Sequence, residues 1–316
     1  DSKRAIESAK DLGITTYQLL NADQMQEQIK SPLYHGGLLS TEGGILNPLR
    51  LIDGLKRIAL QQGIHIYENS AVTDLKQGQI QTEKGIVRSK KIILATDVYS
   101  HFLFPQLLHR FLPLYDYILV SEQLTQSQFD EIGWKNRQGV TDARTFFNYY
   151  RLTRDNRILW GTSEAKYYPP NSVNPSHDHS EAHYQVLRES FVKHFPQLTQ
   201  LRFEFQWGGA IASTTRLTPF FGNIHNGQTL YALGYTGHGI GSTRIAAKIL
   251  AHQALGLSNP LLELSMVRNK PFPYPPEPLR RIAVQQVTKA LRSTDQGSKP
   301  GLLLKILDWM GIGFSS

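Results

Sequence analysis

TLYALGYTGHGIGSTRIAAKIL, residues 229–250, decides how the rest of the chain is read. Thr229 to Leu233 make an apolar run of strand length. Glycines follow at Gly234, Gly237, Gly239 and Gly241 with His238 among them, and helix formers continue through Ile245, Ala246, Ile249 and Leu250. The order predicts a buried strand, a glycine turn and a helix that starts near Gly239 to Gly241. The first turn of a helix offers N–H groups without intrahelical partners and a partial positive charge, and glycines let a ligand approach the backbone. Such a place suits an electron-rich atom. The window from Gly239 reads G-x-G-x-x-R, with Arg244 where a dinucleotide fingerprint has a third small residue. On these residues alone, a ligand-facing turn and a turn that only packs both stay open.

Outward from that stretch, the chain has the texture of an α/β protein. In GGILNPLRLIDGLKRIALQQGIHIYENS, Asn47 is an N-cap and Pro48 a first helical residue; Leu51, Leu55, Ile58 and Ala59 share a face, and Gly63 ends the helix. Ile64 to Tyr67 then reads as a short buried strand. Short strands punctuated by Gln77-Gly78 and Lys84-Gly85 form a meander that ends in the apolar strand Ile92 to Ala95. Between 114 and 212, strand-like runs at Tyr115–Leu124, Thr145–Leu152 and Arg157–Thr162 have few crossover helices, so a mostly antiparallel sheet is expected. One amphipathic helix follows, with Asp178 and Glu181 as a capping box, a stripe of Tyr184, Leu187, Phe191 and Phe195, and Pro196 as its stop. In LRFEFQWGGAI, Leu201, Phe203, Phe205 and Trp207 alternate as the buried side of a strand. The tail from 257 is proline-rich and reads as an extended, packed strap before helical runs at Val284–Leu291 and Leu302–Met310.

Composition bounds the chemistry. The 316 residues carry a formal charge of +8, and no apolar run reaches the ~18 residues of a membrane span. Residues 268–299 hold seven basic groups and two acidic ones, which reads as a basic solvated tail rather than a nucleic-acid arm. The absence of cysteine excludes disulfides, cysteine-ligated metal and thiol nucleophiles, and fits a cytoplasmic setting. His177, His179 and His183 have metal-ligand spacing but lie at a polar helix start without an H-E-x-x-H pattern, so no metal is expected. Carboxylate-pair hydrolase, nucleophile-elbow and P-loop signals are missing.

The colinear order GGILNP, helix, GIHIYENSAV, meander, KKIILATDVYS, aromatic antiparallel region, WGG, TPFFG and LYALGYTGHGIG resembles the D-amino-acid-oxidase-like FAD-dependent oxidoreductases over roughly residues 1–256. The texture is nearest the γ-glutamylputrescine-oxidase-like members. The resemblance implies a mixed α/β fold in which a Rossmann-like FAD-binding domain (43–100 and 213–256), incomplete at its N-terminus, interleaves with a mostly antiparallel substrate domain (1–42 and 101–212). Residues 257–316 would be a basic, proline-rich extension. The family opens with a G-x-G-x-x-G strand, turn and helix; nothing before GGILNP supplies one, so the chain is expected to lack roughly the family's first quarter.

By the same resemblance, Gly234, Tyr235, Thr236, Gly237, His238, Gly239 and Ile240 would line the isoalloxazine of a noncovalent FAD. Val72 would touch the adenine side, and Ala95 and Thr96 the ADP moiety. Val72 reads equally as a core strand valine, whereas Thr96, at a strand end, stands where α/β sheets place ligands. Asp97 replaces a usual glycine or asparagine. Amino-acid oxidising members often carry W-x-G-x-R; here Ile211 follows Trp207 at the arginine position, which favours an amine, with Arg216 or Arg151 as substitutes for the anchor. The catalytic candidates are His238, Tyr150 and Arg216. Tyr149, Phe147 and Trp160 join Tyr150 as wall or core, and His238 either orients the ring or stabilises the turn. The expected function is FAD-dependent oxidation of a primary or secondary amine, with O2 reoxidising the flavin. Alternatives are an amino- or hydroxy-acid dehydrogenase with a quinone or carrier acceptor, and a non-catalytic remnant. The small-molecule amine is the only partner expected; oligomeric state stays open.

Overall fold

The structure, a computed structural model, describes residues 2–11 and 13–313. In chain order it begins with α1 (Ser2–Asp11), β1 (Tyr17–Asn21), α2 (Ala22–Gln28), β2 (Gly36–Ser40) and α3 (Pro48–Gln61). Next come β3 (Val72–Lys76), β4 (Gln79–Thr82), β5 (Gly85–Arg88), β6 (Ile92–Leu94), α4 (Ser100–Leu103), β7 (Leu112–Ser121) and α5 (Gln126–Ile132). The middle holds β8 (Val140–Thr141), β9 (Asn148–Leu152), β10 (Ile158–Thr162), α6 (Glu181–His194) and β11 (Phe203–Ser213). The chain closes with β12 (Phe220–Ile224), β13 (Thr229–Leu233), α7 (Gly239–Leu255), α8 (Ser265–Arg268), α9 (Leu279–Asp295) and α10 (Leu302–Trp309). Two compact units divide these elements. One comprises residues 1–51, 117–164 and 178–208, the other 52–116, 165–177 and 209–316. The proline-rich extension clusters with the second unit.

In the first unit, β1 and β2 pair antiparallel, and β9 lies between β10 and β8 in an antiparallel ladder. The expected helix is α6, and its stripe is buried at Tyr184, Leu187 and Phe191, with Phe195 buried at its C-cap. Phe191 packs edge-on against Trp160, with ring centroids 5.4 Å apart. The capping box is a correction: Ser180, not Asp178, is the N-cap, and its hydroxyl is engaged by the Nδ1 of His183 at 2.7 Å. A second correction concerns β11, where Phe205 and Trp207 are exposed instead of buried. Only Leu201 of that alternating set is buried, so the period-2 pattern marked a strand but not its inner face.

In the second unit, β13 lies at the centre of a three-stranded sheet ordered β12-β13-β6, antiparallel to β12 and parallel to β6. Tyr231 and Leu233 join Ile92, Leu94 and Phe220 in one core, while Leu230 and Ala232 join Ala246, Ile249 and Leu250 of α7 in another. Both faces of β13 are therefore covered, which is why its five residues read as an uninterrupted apolar run. The meander is the sheet β3-β4-β5, turned at Gly78 with φ +67°, and Leu75 roots it in the first of those cores.

Helix α3 has the expected ends. The Arg50 N–H donates to Asn47 Oδ1 at 3.1 Å, and Gly63 closes the helix at φ +78°. Its apolar face, however, is not buried: Leu51, Leu55 and Ile58 are exposed, and no α3 residue is buried. Ile64 to Tyr67 form no strand and are likewise exposed, because among the described residues no strand pairs with them. The proline segment is a packed strap, as its composition implied. Arg110 donates to the Pro271 carbonyl at 2.8 Å, the Tyr274 N–H to the His109 carbonyl at 2.8 Å, and the Thr215 hydroxyl to the Phe272 carbonyl at 2.9 Å.

A turn at the ends of two parallel strands

Because β6 and β13 are parallel with Leu94 opposite Tyr231, both strands finish at the same edge of their sheet. Ala95 and Thr96 extend one end, Gly234 the other, which is the edge where open α/β sheets place ligands. The two ends are bonded through Asp97. Its Oδ1 accepts the Gly234 N–H at 2.8 Å, and the backbone N–H groups of Ala212, Val98 and Tyr235 also support the carboxylate. Burial pushes the Asp97 carboxyl above its usual range, outweighing those donors. Asp97 itself sits at φ +38°, a left-handed conformation that Asp adopts more easily than most residues.

The glycine turn divides into two halves. Its inner half is tied to the body of the unit. The Thr236 N–H donates to the Ala212 carbonyl at 3.0 Å, the Thr236 hydroxyl accepts from the Thr214 N–H at 3.2 Å, and Tyr235 is half-buried, its hydroxyl pushed up to about 12 by burial. Gly234, at φ +81°, is buried, and a Cβ there would overlap Thr214 Cγ2. The outer half is open. Gly237, His238, Ile240 and Gly241 are exposed, and a Cβ on Gly237 or Gly241 would meet nothing within 4 Å. His238 is the N-cap of α7, yet its side chain makes no capping bond, so the turn does not need the imidazole to close. Alpha-helix geometry leaves the first N–H groups of α7 without intrahelical partners. Together with the dipole of a 17-residue helix, they favour negative charge just outside Gly239–Gly241.

Of the residues expected to form the site, Ala95, Thr96, Gly234, Tyr235, Thr236, Gly237, His238, Gly239 and Ile240 are gathered at this edge by the pairing of β6 with β13 and the turn that follows. Ala95 and Thr96 are exposed, the Thr96 hydroxyl 2.9 Å from Ser100 Oγ. Val72 lies on β3 and is exposed, not a core valine. Two catalytic candidates are corrected. Arg216 spends its guanidinium on the carbonyls of Asn269 (2.8 Å), Pro219 (2.9 Å) and Met266 (2.8 Å), clamping the segment after α7, and only its buried Nε lacks a partner. Tyr150, in the first unit, is buried against Trp160 with centroids 4.6 Å apart and shares a hydrogen bond with the Tyr34 hydroxyl, which makes it a core residue. Trp160 is fully buried too; Tyr149, Phe147 and Arg151 are half-buried.

Sequence reasoning missed two features. Asp97 joins the strand ends, and an Asp directly after a strand, where left-handed conformations are tolerated, is the signal that marks it. The other is a polar network inside the first unit. Asp142 accepts from Arg144 Nη2 at 2.7 Å and from the Asn148 N–H at 3.0 Å, and lies 3.4 Å from His194 Nε2. Burial alone would raise the Asp142 carboxyl, but the bonds from His194, Arg144 and Asn148 hold it well below the usual range. Among the described residues no His, Cys, Asp and Glu cluster could hold a metal ion, and His177 instead stacks on Tyr168 at 3.9 Å. No helix of the described residues is long and apolar enough to cross a membrane.

The family model described as "FAD dependent oxidoreductase" matches residues 1–253. A probable oxidoreductase OrdL of Haemophilus influenzae is 32% identical over 259 residues, covering 79% of this chain and 56% of that protein. The gamma-glutamylputrescine oxidoreductase of Escherichia coli is 29% identical over 260 residues, covering 81% of this chain and 58% of that protein. The chain thus spans little more than half the length of these curated relatives. Among solved structures, L-proline dehydrogenase from P. horikoshii superposes with a TM-score of 0.70 at 18% identity, covering 82% of this chain and 70% of that one.

Proposed function

Because the chain belongs to the FAD-dependent oxidoreductase family, we propose that it carries the flavin-facing turn of an enzyme that oxidises a primary or secondary amine. The observation that supports this reading most directly is the open outer half of the turn. Gly237 to Gly241 bring the start of α7 to the surface with no side chain capping it. These residues fit the electron-rich edge of a noncovalently bound FAD, with Ala95 and Thr96 beside them and Val72 on the adenine side. When bound, FAD would supply the two-electron oxidising power that amine oxidation needs, with O2 as the final acceptor.

The chain's own residues then have separable duties. The α7 N–H groups stabilise negative charge on whatever faces them. Asp97 holds the two strand ends in register, so those groups point from a fixed position. His238, whose side chain makes no capping bond and is exposed at that same point, orients the charged edge or polarises the acceptor. Ile211 leaves no cation where a carboxylate anchor would stand and Arg216 is engaged by backbone carbonyls, which favours an amine without a required carboxylate and leaves Arg151 as the remaining substitute. The name of the E. coli relative agrees with an amine substrate.

The test uses the protein that carries this chain, purified and examined for flavin absorption, then mixed anaerobically with γ-glutamylputrescine, simple amines and 2-hydroxy acids. Bleaching by amines followed by recovery in air supports the reading. Bleaching by hydroxy acids alone, or protein that neither contains nor takes up FAD, refutes it. His238→Ala should lower the bleaching rate about 10- to 100-fold while FAD remains bound.

A further inference from the structure

The family match ends at residue 253, and the segment beyond it has a surface that the turn chemistry does not explain. Helix α9 is anchored in the second unit. Arg280 is buried, donating to Asn171 Oδ1 at 2.6 Å and to the Pro275 carbonyl at 2.9 Å, and Leu291 is buried. Helix α10 follows, and Gly313 beyond it donates its N–H to the Thr215 carbonyl at 3.1 Å, so this end of the chain is held against the unit. Yet α10 has no buried residue. Leu304 and Leu307 are half-buried on one side, whereas Leu302, Leu303, Ile306, Trp309 and Met310 are exposed, Leu302 at 74% and Trp309 at 87%. At 100° per residue those five side chains fall in a stripe about 120° wide. Lys305 borders the stripe, and Arg281, Lys289 and Lys299 are exposed nearby in the sequence. Over residues 268–316 there are eight basic and three acidic groups, which accounts for most of the chain's +8.

We propose that α10, flanked by Lys305 and preceded by a basic segment, is an interfacial helix that seats this part of the chain on an anionic membrane surface. The stripe is short and flat-lying in character, with a terminal tryptophan and a basic flank, the combination that partitions into the headgroup boundary. Charge decides between a membrane and a second copy of the chain. Two such segments would bring like charges together, whereas an anionic surface attracts them and gains roughly fivefold in affinity for each basic residue near it. The exposed stripe on α3 differs in having no tryptophan, and of the basic residues on that helix Lys56 is already paired with Glu68 at 2.6 Å.

The test is sedimentation of the chain with vesicles of phosphatidylglycerol and phosphatidylcholine in equal parts, against phosphatidylcholine alone. Binding should be at least tenfold stronger to the anionic vesicles and weaken with added salt. In a Trp207→Phe background, which removes the other exposed tryptophan, the emission should shift to the blue through Trp309, Trp134 and Trp160 being fully buried already. The pair Ile306→Glu and Trp309→Glu should abolish binding with an unchanged far-ultraviolet spectrum, because both side chains are exposed. Lys289→Gln, Lys299→Gln and Lys305→Gln together should weaken anionic binding about 100-fold. The pair Leu55→Glu and Ile58→Glu on α3 should leave it intact. Equal binding to both vesicle types, binding unaffected by the α10 pair, or a dimer dissolved by that pair in protein that ignores vesicles would each overturn the proposal.

Discussion

Substituting Gly234 by alanine separates the two halves of the turn. At φ +81° an alanine pays about 1–2 kcal/mol for the left-handed backbone. Its Cβ would also overlap Thr214 Cγ2 and lie 3.3 Å from two ring carbons of Phe220 in a packed core, an overpacking worth about 1–3 kcal/mol. The lower entropy of the unfolded alanine chain returns about 0.4–1 kcal/mol. Gly234→Ala should therefore cost about 2–4 kcal/mol. Gly237→Ala has the same φ, +81°, but nothing within 4 Å of the new Cβ, so only the backbone part remains, about 1 kcal/mol. The overlap also has a specific remedy. Thr214→Ser deletes the offending methyl and keeps the hydroxyl that donates to the Thr218 carbonyl at 2.8 Å. In the Gly234→Ala background it should recover most of the overpacking share. Hydrogen exchange of the amides in Leu230–Leu233, read by mass spectrometry across urea concentrations, reports on this unit alone. Equal costs for the two glycines, or no recovery with Thr214→Ser, would refute the division of the turn into a packed inner half and an open outer half.

Asp97 and Asp142 titrate in opposite senses. Burial raises the Asp97 carboxyl, so its share of stability is present below the ordinary carboxyl range and is lost as pH rises through the raised folded value. Asp97→Asn should thus raise the melting temperature at pH 7 relative to the parent, with the gain vanishing near pH 4. Asp142 is held low, so its contribution is present above about pH 4 and is lost as pH falls through the folded value. Asp142→Asn should cost about 2–3 kcal/mol at pH 7 by leaving Arg144 and His194 without their carboxylate, and calorimetry should show the gap closing at acid pH. Tyr150→Phe should cost about 1–2 kcal/mol through the lost bond to Tyr34 while leaving flavin bleaching by amines unchanged, which a urea titration and the anaerobic assay check together.

What could be read from the chain depended on whether a signal was local. Asn47, Pro48 and Gly63 act on their own backbone, and the helix between them begins and ends where they place it. The five-residue run of β13 and the glycines after it are also local, and the strand, turn and α7 lie at the expected positions. Which face an element buries depends on a partner that no local pattern specifies. The α3 stripe, the residues Ile64–Tyr67 and the aromatic side of β11 carried good patterns and are exposed all the same. Side-chain roles failed for the same reason. Tyr150 and Arg216 were plausible by residue type, but one lies among Trp134, Trp160 and Phe195 and the other is committed to three carbonyls. The position of the turn was legible because it depends on glycine conformations and a helix start, which the sequence encodes directly. A turn set by glycine conformations and a helix start can be placed before the fold is known, whereas the surroundings of a side chain depend on neighbours that only the fold supplies.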